Sequence, residues 1–75
     1  MMSEPKFDNR KLLGRIKEIF GTLGKFGDAM HWSHTTTTKK VRHLESLTQS
    51  EITKIAVLLK IPDAEIPLYF FTLKV

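Results

Sequence analysis

The fold is decided by TLGKFGDAMHWSHTTTTKKV, residues 22–41. In its first half, Leu23, Phe26 and Met30 are spaced three and four residues apart, which is the spacing of one face of a helix. This spacing predicts a short helix over about residues 22–30, beginning at a capping threonine. The second half is polar and basic and predicts another helix. The stretch therefore has the order of elements of a helix-turn-helix unit.

A tight turn separates these two helices. His31 and Trp32 form the turn, and Ser33 is placed to cap the next helix, which we expect from His34 to about residue 43. Because an aromatic ring of this size contributes a large apolar surface, we expect Trp32 to be buried in the core together with Phe26.

Gly27 indicates close packing within this unit. In a helix interior, glycine costs about 1 kcal/mol relative to alanine. A small residue at this position is explained if another helix crosses there at close range, as the two helices of a helix-turn-helix unit do.

A further helix is predicted ahead of this unit. Asp8 or Asn9 is placed to cap it, and Gly21 is placed to end it in the left-handed conformation. Its apolar residues, which recur at helical spacing, are Leu12, Leu13, Ile16, Ile19 and Phe20.

Two more helices are predicted after the unit. Thr48 and Glu51 form a capping box, a strong signal for a helix start, and residues 60–62 end this fourth helix. The acidic residues of segment 63–65 favour the first turn of a fifth helix, in which Pro67 must lie in or just before the first turn. The expected packing residues are Ile52, Ile55, Ala56 and Leu59, then Ile66, Tyr69, Phe70 and Leu73.

Length and composition favour one small globular domain. The chain has 75 residues, of which 41% are hydrophobic, and no cysteine. We assign residues 1–8 to a flexible N-terminal lead-in and residues 9–75 to an all-α, five-helix domain with the helix-turn-helix at helices 2 and 3. The chain lacks the apolar run of a signal peptide or a membrane span. We therefore expect no membrane partner and a cytoplasmic, nucleoid-associated location in a bacterial host.

The charge of the chain favours a polyanionic partner. The formal net charge is +4, and several basic residues lie at the end of the second motif helix. The threonines of that helix have short, stiff side chains suited to phosphates and base edges; the alternative is a solvated helix face. The candidate DNA- or partner-binding residues are Thr22, His34, Thr35, Thr36, Thr38, Lys39, Lys40 and Arg42.

Other chemistry is not expected. His31, His34 and His43 have no cysteine and few carboxylates near them in the sequence, so we expect no metal site. No acid is placed to activate Ser33 as a nucleophile, so we expect no enzyme. The glycines of segment 21–27 follow no strand and therefore do not form a phosphate loop; we expect no cofactor.

Three segments carry a resemblance to a known family. They are KLLGRIKEIFGT at 11–22, QSEI at 49–52 and IPDAEIPLYFF at 61–71. With the W-S turn, they resemble lambda-repressor-like (Cro-type) helix-turn-helix domains, most strongly the small single-domain regulators of temperate phages of Gram-positive bacteria. The resemblance covers about residues 12–71.

The resemblance implies two alternative functions. The group includes Cro-like repressors, which bind double-stranded operator DNA through helix 3, usually as homodimers, and act in the lysis–lysogeny switch. It also includes modulator-of-repression anti-repressors, which bind the N-terminal DNA-binding domain of the lysogenic repressor. An apolar end of the chain is the candidate oligomer or partner interface in either case: Tyr69, Phe70, Phe71 and Leu73.

Two positions depart from the pattern of this group. His31 stands where the turn usually has glycine, and Thr37 stands where the third helix usually has an apolar residue. A non-glycine residue in the left-handed region is strained, although histidine is among the better tolerated. A buried threonine needs a partner for its hydroxyl. Both departures loosen the motif.

Overall fold

All regular structure in the described residues, 6–73 of the computed structural model, is helical. Five α-helices are present there: α1 (Arg10–Phe20), α2 (Leu23–Ala29), α3 (His34–Arg42), α4 (Gln49–Leu58) and α5 (Ile66–Phe70). Single 3-10 turns at Leu44–Ser46 and Asp63–Glu65 lead into α4 and α5. The predicted all-α, five-helix fold is confirmed. Residues 1–5 of the expected lead-in lie outside the described residues.

One hydrophobic core joins the five helices. Its buried residues are Leu12, Ile16, Phe26, Met30, Val41, Leu44, Ile55, Ala56, Leu59, Ile61, Tyr69 and Phe70. They include most of the inward positions predicted from helical spacing. Ile19, expected on the inward face of α1, is instead an exposed residue near the end of that helix.

Helices α2 and α3 cross at Gly27. A Cβ on this buried glycine would overlap Thr37 Oγ1 and lie 3.1 Å from Thr37 Cβ. Thr37 is itself only 1% exposed, and its Oγ1 donates to the backbone oxygen of Ser33 at 2.8 Å. The close crossing inferred from Gly27 is confirmed, and the buried threonine has the hydrogen-bond partner that its position requires.

The turn after α2 is a Schellman motif built without glycine. His31 has φ 62° and its N–H donates to the oxygen of Asp28 at 3.1 Å, while Trp32 N–H donates to Gly27 oxygen at 2.9 Å. These are the two hydrogen bonds that define the motif. The left-handed position expected at His31 is therefore confirmed.

A second motif of this kind, not anticipated from the sequence, ends α4. Lys60 has φ 56°, its N–H donates to Val57 oxygen at 3.2 Å, and Ile61 N–H donates to Ala56 oxygen at 2.9 Å. Arg15 of α1 adds a hydrogen bond to this end, because its Nε donates to the oxygen of Leu59 at 2.8 Å. The carbonyls of Ala56, Val57 and Leu59 are thus satisfied from within the chain.

Trp32 is less buried than the sequence led us to expect. Its ring packs edge-on against Phe26, with 6.1 Å between the ring centroids, but only Phe26 is fully buried. Trp32 belongs to the partly buried residues around the core. The prediction that both rings are buried is correct for Phe26 and wrong for Trp32, because the turn holds the indole at the margin of the core.

The start of the described chain is joined to its end. Asp8 N–H donates to Thr72 oxygen at 2.7 Å, and Phe7 forms an isolated antiparallel bridge with Leu73. The Phe7 ring also packs edge-on against Phe71, at 5.8 Å between centroids. Phe7 and Asp8, which the sequence placed in the lead-in, therefore contact the segment that follows α5.

Asp8 also begins α1. Its Oδ1 accepts from the backbone N–H of Arg10 at 2.9 Å, which satisfies one of the free N–H groups of the first turn. The side chain of Asn9, the other predicted cap, instead donates to the oxygen of Val41 at 2.6 Å. Asn9 therefore occupies the N-cap position without a side-chain cap bond, and Asp8, one residue earlier, supplies the side-chain bond to the helix start.

We predict that Gly27→Ala destabilises the protein by about 1–3 kcal/mol, because the added methyl group overlaps Thr37. The control is Gly14→Ala in α1, where a Cβ meets nothing within 4 Å and alanine should add about 0.5–1 kcal/mol. Denaturant unfolding followed by circular dichroism measures both free energies of unfolding. Equal stability of the two variants would show that the helices do not cross at the described distance.

We also predict that His31→Gly stabilises the protein by about 1 kcal/mol, because glycine relieves the strain of the left-handed conformation. His34→Gly, at an exposed position in the first turn of α3, should lose up to about 1 kcal/mol. Thermal unfolding of the two variants, compared with the wild type, checks the opposite signs. A loss at both positions would contradict a left-handed His31.

Candidate partner-binding face on α3

Helix α3 presents a polar, basic face at the surface. Ser33 begins the helix, as predicted, because its Oγ accepts from Thr36 N–H at 3.1 Å. Thr37 and Val41 are the buried residues of the helix, which turns the opposite side outward. We call the following exposed residues the α3 face: His34, Thr35, Thr38, Lys39 and Arg42.

Several threonine hydroxyls of α3 are already hydrogen-bonded within the helix. Thr37 Oγ1 donates to Ser33 oxygen, and Thr38 Oγ1 donates to His34 oxygen at 3.1 Å. A hydroxyl has one proton to donate. Neither residue can therefore donate to a phosphate or a base acceptor while it keeps its helical bond.

The hydroxyl of Thr36 differs from these two. Its Oγ1 accepts a hydrogen bond from Ser33 Oγ at 3.0 Å. A hydroxyl can accept one hydrogen bond and donate another, so Thr36 can keep its contact with Ser33 and turn its own proton toward a ligand. Thr36 is half-buried, unlike the exposed residues of the α3 face.

Lys40 binds α3 to the start of α4. Its Nζ lies 3.2 Å from Glu51 Oε1 and 3.4 Å from the oxygen of Ser46. Glu51 completes the predicted capping box, because the same Oε1 accepts from Thr48 N–H at 2.9 Å. The Lys40 charge, which the sequence offered to DNA phosphates, is thus paired with a carboxylate of the protein itself.

This junction perturbs the acid–base chemistry of Glu51. The backbone N–H of Thr48 lowers the pKa of Glu51, and the ammonium group of Lys40 lowers it further, while partial burial acts in the opposite direction. Hydrogen bonds and a nearby cation both favour the ionised carboxylate. Glu51 therefore connects Lys40 of α3 to the start of α4 as an ionised carboxylate.

A shallow depression of about 650 Å³ lies beside the second half of α3. His43 Nδ1 and Glu45 Oε2 are 3.2 Å apart at this depression. We call it the α3 depression; its lining residues are Thr36, Lys39, Lys40, His43, Glu45 and Ser46.

The two acidic residues at or beside the α3 depression, Glu45 and Glu51, were not predicted from the sequence as part of the site. Glu45 stands two residues after His43, a proximity that the sequence does show. The Lys40–Glu51 pair joins residues eleven positions apart across the loop between α3 and α4. No helical or strand period relates them, so only the fold reveals the pair.

Thr22 lies apart from the α3 depression and has a local role. Its Oγ1 accepts from Lys25 N–H at 3.2 Å and caps α2, as the sequence predicted. The residue itself is exposed. Its hydroxyl oxygen is occupied at the helix start.

The apolar end of the chain needs a correction. Tyr69 and Phe70 were named as interface residues, but they are only 8% and 1% exposed because α5 packs them into the core. Phe71 and Leu73 remain at the surface, joined by Leu68 of α5. An apolar partner surface at this end can therefore use only the latter three.

Within residues 6–73, no three His, Asp or Glu side chains are grouped as ligands for a metal ion. None of the helices described there is long and apolar enough to cross a bilayer.

The whole domain matches a family of proteins. Residues 5–73 match the family described as "Protein of unknown function (DUF739)", and the chain belongs to this family. A search of curated proteins finds no match.

The fold is also similar to a solved phage protein. The match is to the solution structure of the modulator of repression (MOR) of the temperate bacteriophage TP901-1 from Lactococcus lactis, with a TM-score of 0.78 and 36% sequence identity over 93% of this chain and 95% of that one. Of the two branches of the expected resemblance, this match supports the modulator-of-repression branch and leaves the Cro-type branch unsupported.

We predict that Glu51 makes the stability depend on pH in the acid range. Because its pKa is lowered in the folded protein, its contribution is present above the unfolded pKa of about 4.3 and is lost as the pH falls through the folded pKa. Glu51→Gln should lose less stability than the wild type between about pH 5 and pH 3. Denaturant titrations at both pH values measure this difference, and parallel losses would contradict it.

Proposed function

We propose that this protein is an anti-repressor that binds the DNA-binding domain of a lysogenic repressor and blocks its access to operator DNA. The observation that carries the proposal is the similarity to a modulator of repression at 36% identity over 93% of the chain. The proposed role is non-catalytic, needs no cofactor and is carried out in the bacterial cytoplasm.

The chemistry of α3 supports a protein partner over DNA. A DNA reader uses unbalanced positive charge for phosphates and side-chain donors for base acceptors. On this helix the Thr38 hydroxyl donates to the backbone oxygen of His34, and the positive charge of Lys40 is balanced by Glu51. A protein surface can supply donors as well as acceptors, so it can match such a mixed face more fully.

The second candidate is a Cro-like regulator that binds operator DNA through α3, as a homodimer over two half-sites. The observation in its favour is the exposure of Lys39 and Arg42 along the α3 face, in a chain of net charge +4. In this alternative the two cations would hold backbone phosphates, and His34 and Thr35 would lie nearest the bases.

Affinity at two salt concentrations separates the two candidates. We expect the protein to bind the N-terminal domain of the repressor from its own phage and to displace that repressor from labelled operator DNA. Between about 50 and 200 mM salt, a DNA complex with several phosphate contacts weakens by about a thousandfold or more. A protein interface with an apolar centre should change far less. Fluorescence anisotropy gives both affinities.

A matched pair of charge reversals locates the surface. Arg42→Glu, on the α3 face, should weaken repressor binding, whereas Lys17→Glu, on the exposed side of α1, should leave it unchanged. Tight, salt-sensitive binding of the protein to operator DNA without any binding to the repressor would overturn the anti-repressor proposal and favour the second candidate.

A further inference from the structure

We propose that the α3 depression receives a carboxylate side chain of the protein partner, held by the Thr36 hydroxyl and by the ammonium groups of Lys39 and Lys40. This inference rests on the proposed function, and it adds the chemistry by which the partner is recognised. Three donors line the same depression, and each can donate to a ligand while keeping the contacts described above.

The donor count begins with Thr36. Its Oγ1 shares a hydrogen bond with Ser33 Oγ, and while it accepts in that bond its own O–H can be donated to a ligand. Lys40 has three N–H donors, of which Glu51 Oε1 at 3.2 Å and Ser46 oxygen at 3.4 Å take two. Lys39 is exposed and brings a full ammonium group to the rim. A group that accepts several hydrogen bonds is therefore needed to use them together.

A carboxylate suits these donors. It offers two oxygens and carries a negative charge, and hydrogen bonds between an ammonium group and a carboxylate are shorter and stronger than neutral ones. The Glu51 pair also holds the Lys40 side chain in place before any partner arrives. A side chain that is already ordered loses less entropy on binding.

The acidic residues at the depression favour a single carboxylate over a DNA backbone. Glu45 lines the depression beside His43, and Glu51 lies behind Lys40. A DNA strand presents a charge about every 3.4 Å along its length, which would bring neighbouring phosphates toward Glu45. One aspartate or glutamate brings a single negative charge to Lys39 and Lys40, so it meets less repulsion from Glu45 than a row of phosphates does.

The test uses two substitutions that remove donors and keep shape. Thr36→Val removes the hydroxyl, and Lys39→Met removes the charge but keeps an apolar stem. Each should weaken binding to the repressor N-terminal domain by about tenfold or more, the usual effect of deleting a hydrogen bond to a charged group. The matched controls are Thr53→Val in α4 and Lys17→Met in α1, both at exposed positions, and should stay within about twofold. Melting temperatures confirm that all four variants fold.

The partner side of the contact is found by substitution of repressor carboxylates. Each aspartate or glutamate of the repressor N-terminal domain is changed to its amide. One such repressor variant should bind the wild-type protein about tenfold more weakly than the unchanged repressor does. The same variant and the unchanged repressor should bind Lys39→Met with equal affinity. This loss of additivity is the signature of a direct contact.

The outcomes distinguish this inference from the proposed function. If the wild-type protein binds the repressor and both Thr36→Val and Lys39→Met behave like their controls, the carboxylate contact is overturned and the anti-repressor function stands. If the wild type does not bind the repressor, both are overturned. If Lys39→Met instead weakens operator binding and lowers its salt dependence by about one unit, the ligand is a phosphate, and the proposed contact is wrong.

Discussion

The close crossing of α2 and α3 is the constraint on which the rest of this structure depends. Gly27 has no side chain to separate the two helices, and Thr37 fills the space against it. Because Thr37 donates to Ser33 oxygen, this buried polar group stabilises the start of α3 instead of costing an unsatisfied hydroxyl. The rotation of α3 about its axis follows from this contact. With Thr37 and Val41 turned inward, the basic residues must face the solvent.

The junction between α3 and α4 then decides what the basic residues can do. Glu51 accepts from Thr48 N–H and pairs with Lys40, so one carboxylate both begins a helix and neutralises part of the charge cluster. The basic end of α3 is consequently a surface of mixed sign, with Lys39 and Arg42 exposed and Lys40 paired. A surface of mixed sign gives specificity for a partner with complementary charges more readily than general attraction to a polyanion.

Much of the fold could be predicted because its signals are local. The caps at Thr22, Ser33 and Thr48 each join a side chain to a backbone N–H three residues on, and this geometry needs no other part of the chain. The crossing at Gly27 could be inferred for the same kind of reason, since a glycine inside a helix is costly unless space is short. Burial was harder to predict: Trp32 and Ile19 were both expected to face inward, but Trp32 is only partly buried and Ile19 is exposed, because sequence spacing does not show where the margin of the core lies.

The sequence by itself determined the helices, the caps at Thr22, Ser33 and Thr48 and the polar character of α3, because each depends on residues within about one helical turn of one another. Only the tertiary structure decided which charges remain available. The contacts that settle this join distant residues: Lys40 to Glu51 over eleven positions and Arg15 to Leu59 over 44. No sequence period links such positions. They meet because burial of the shared core brings the five helices together, and burial is non-directional until the packed shapes select one arrangement.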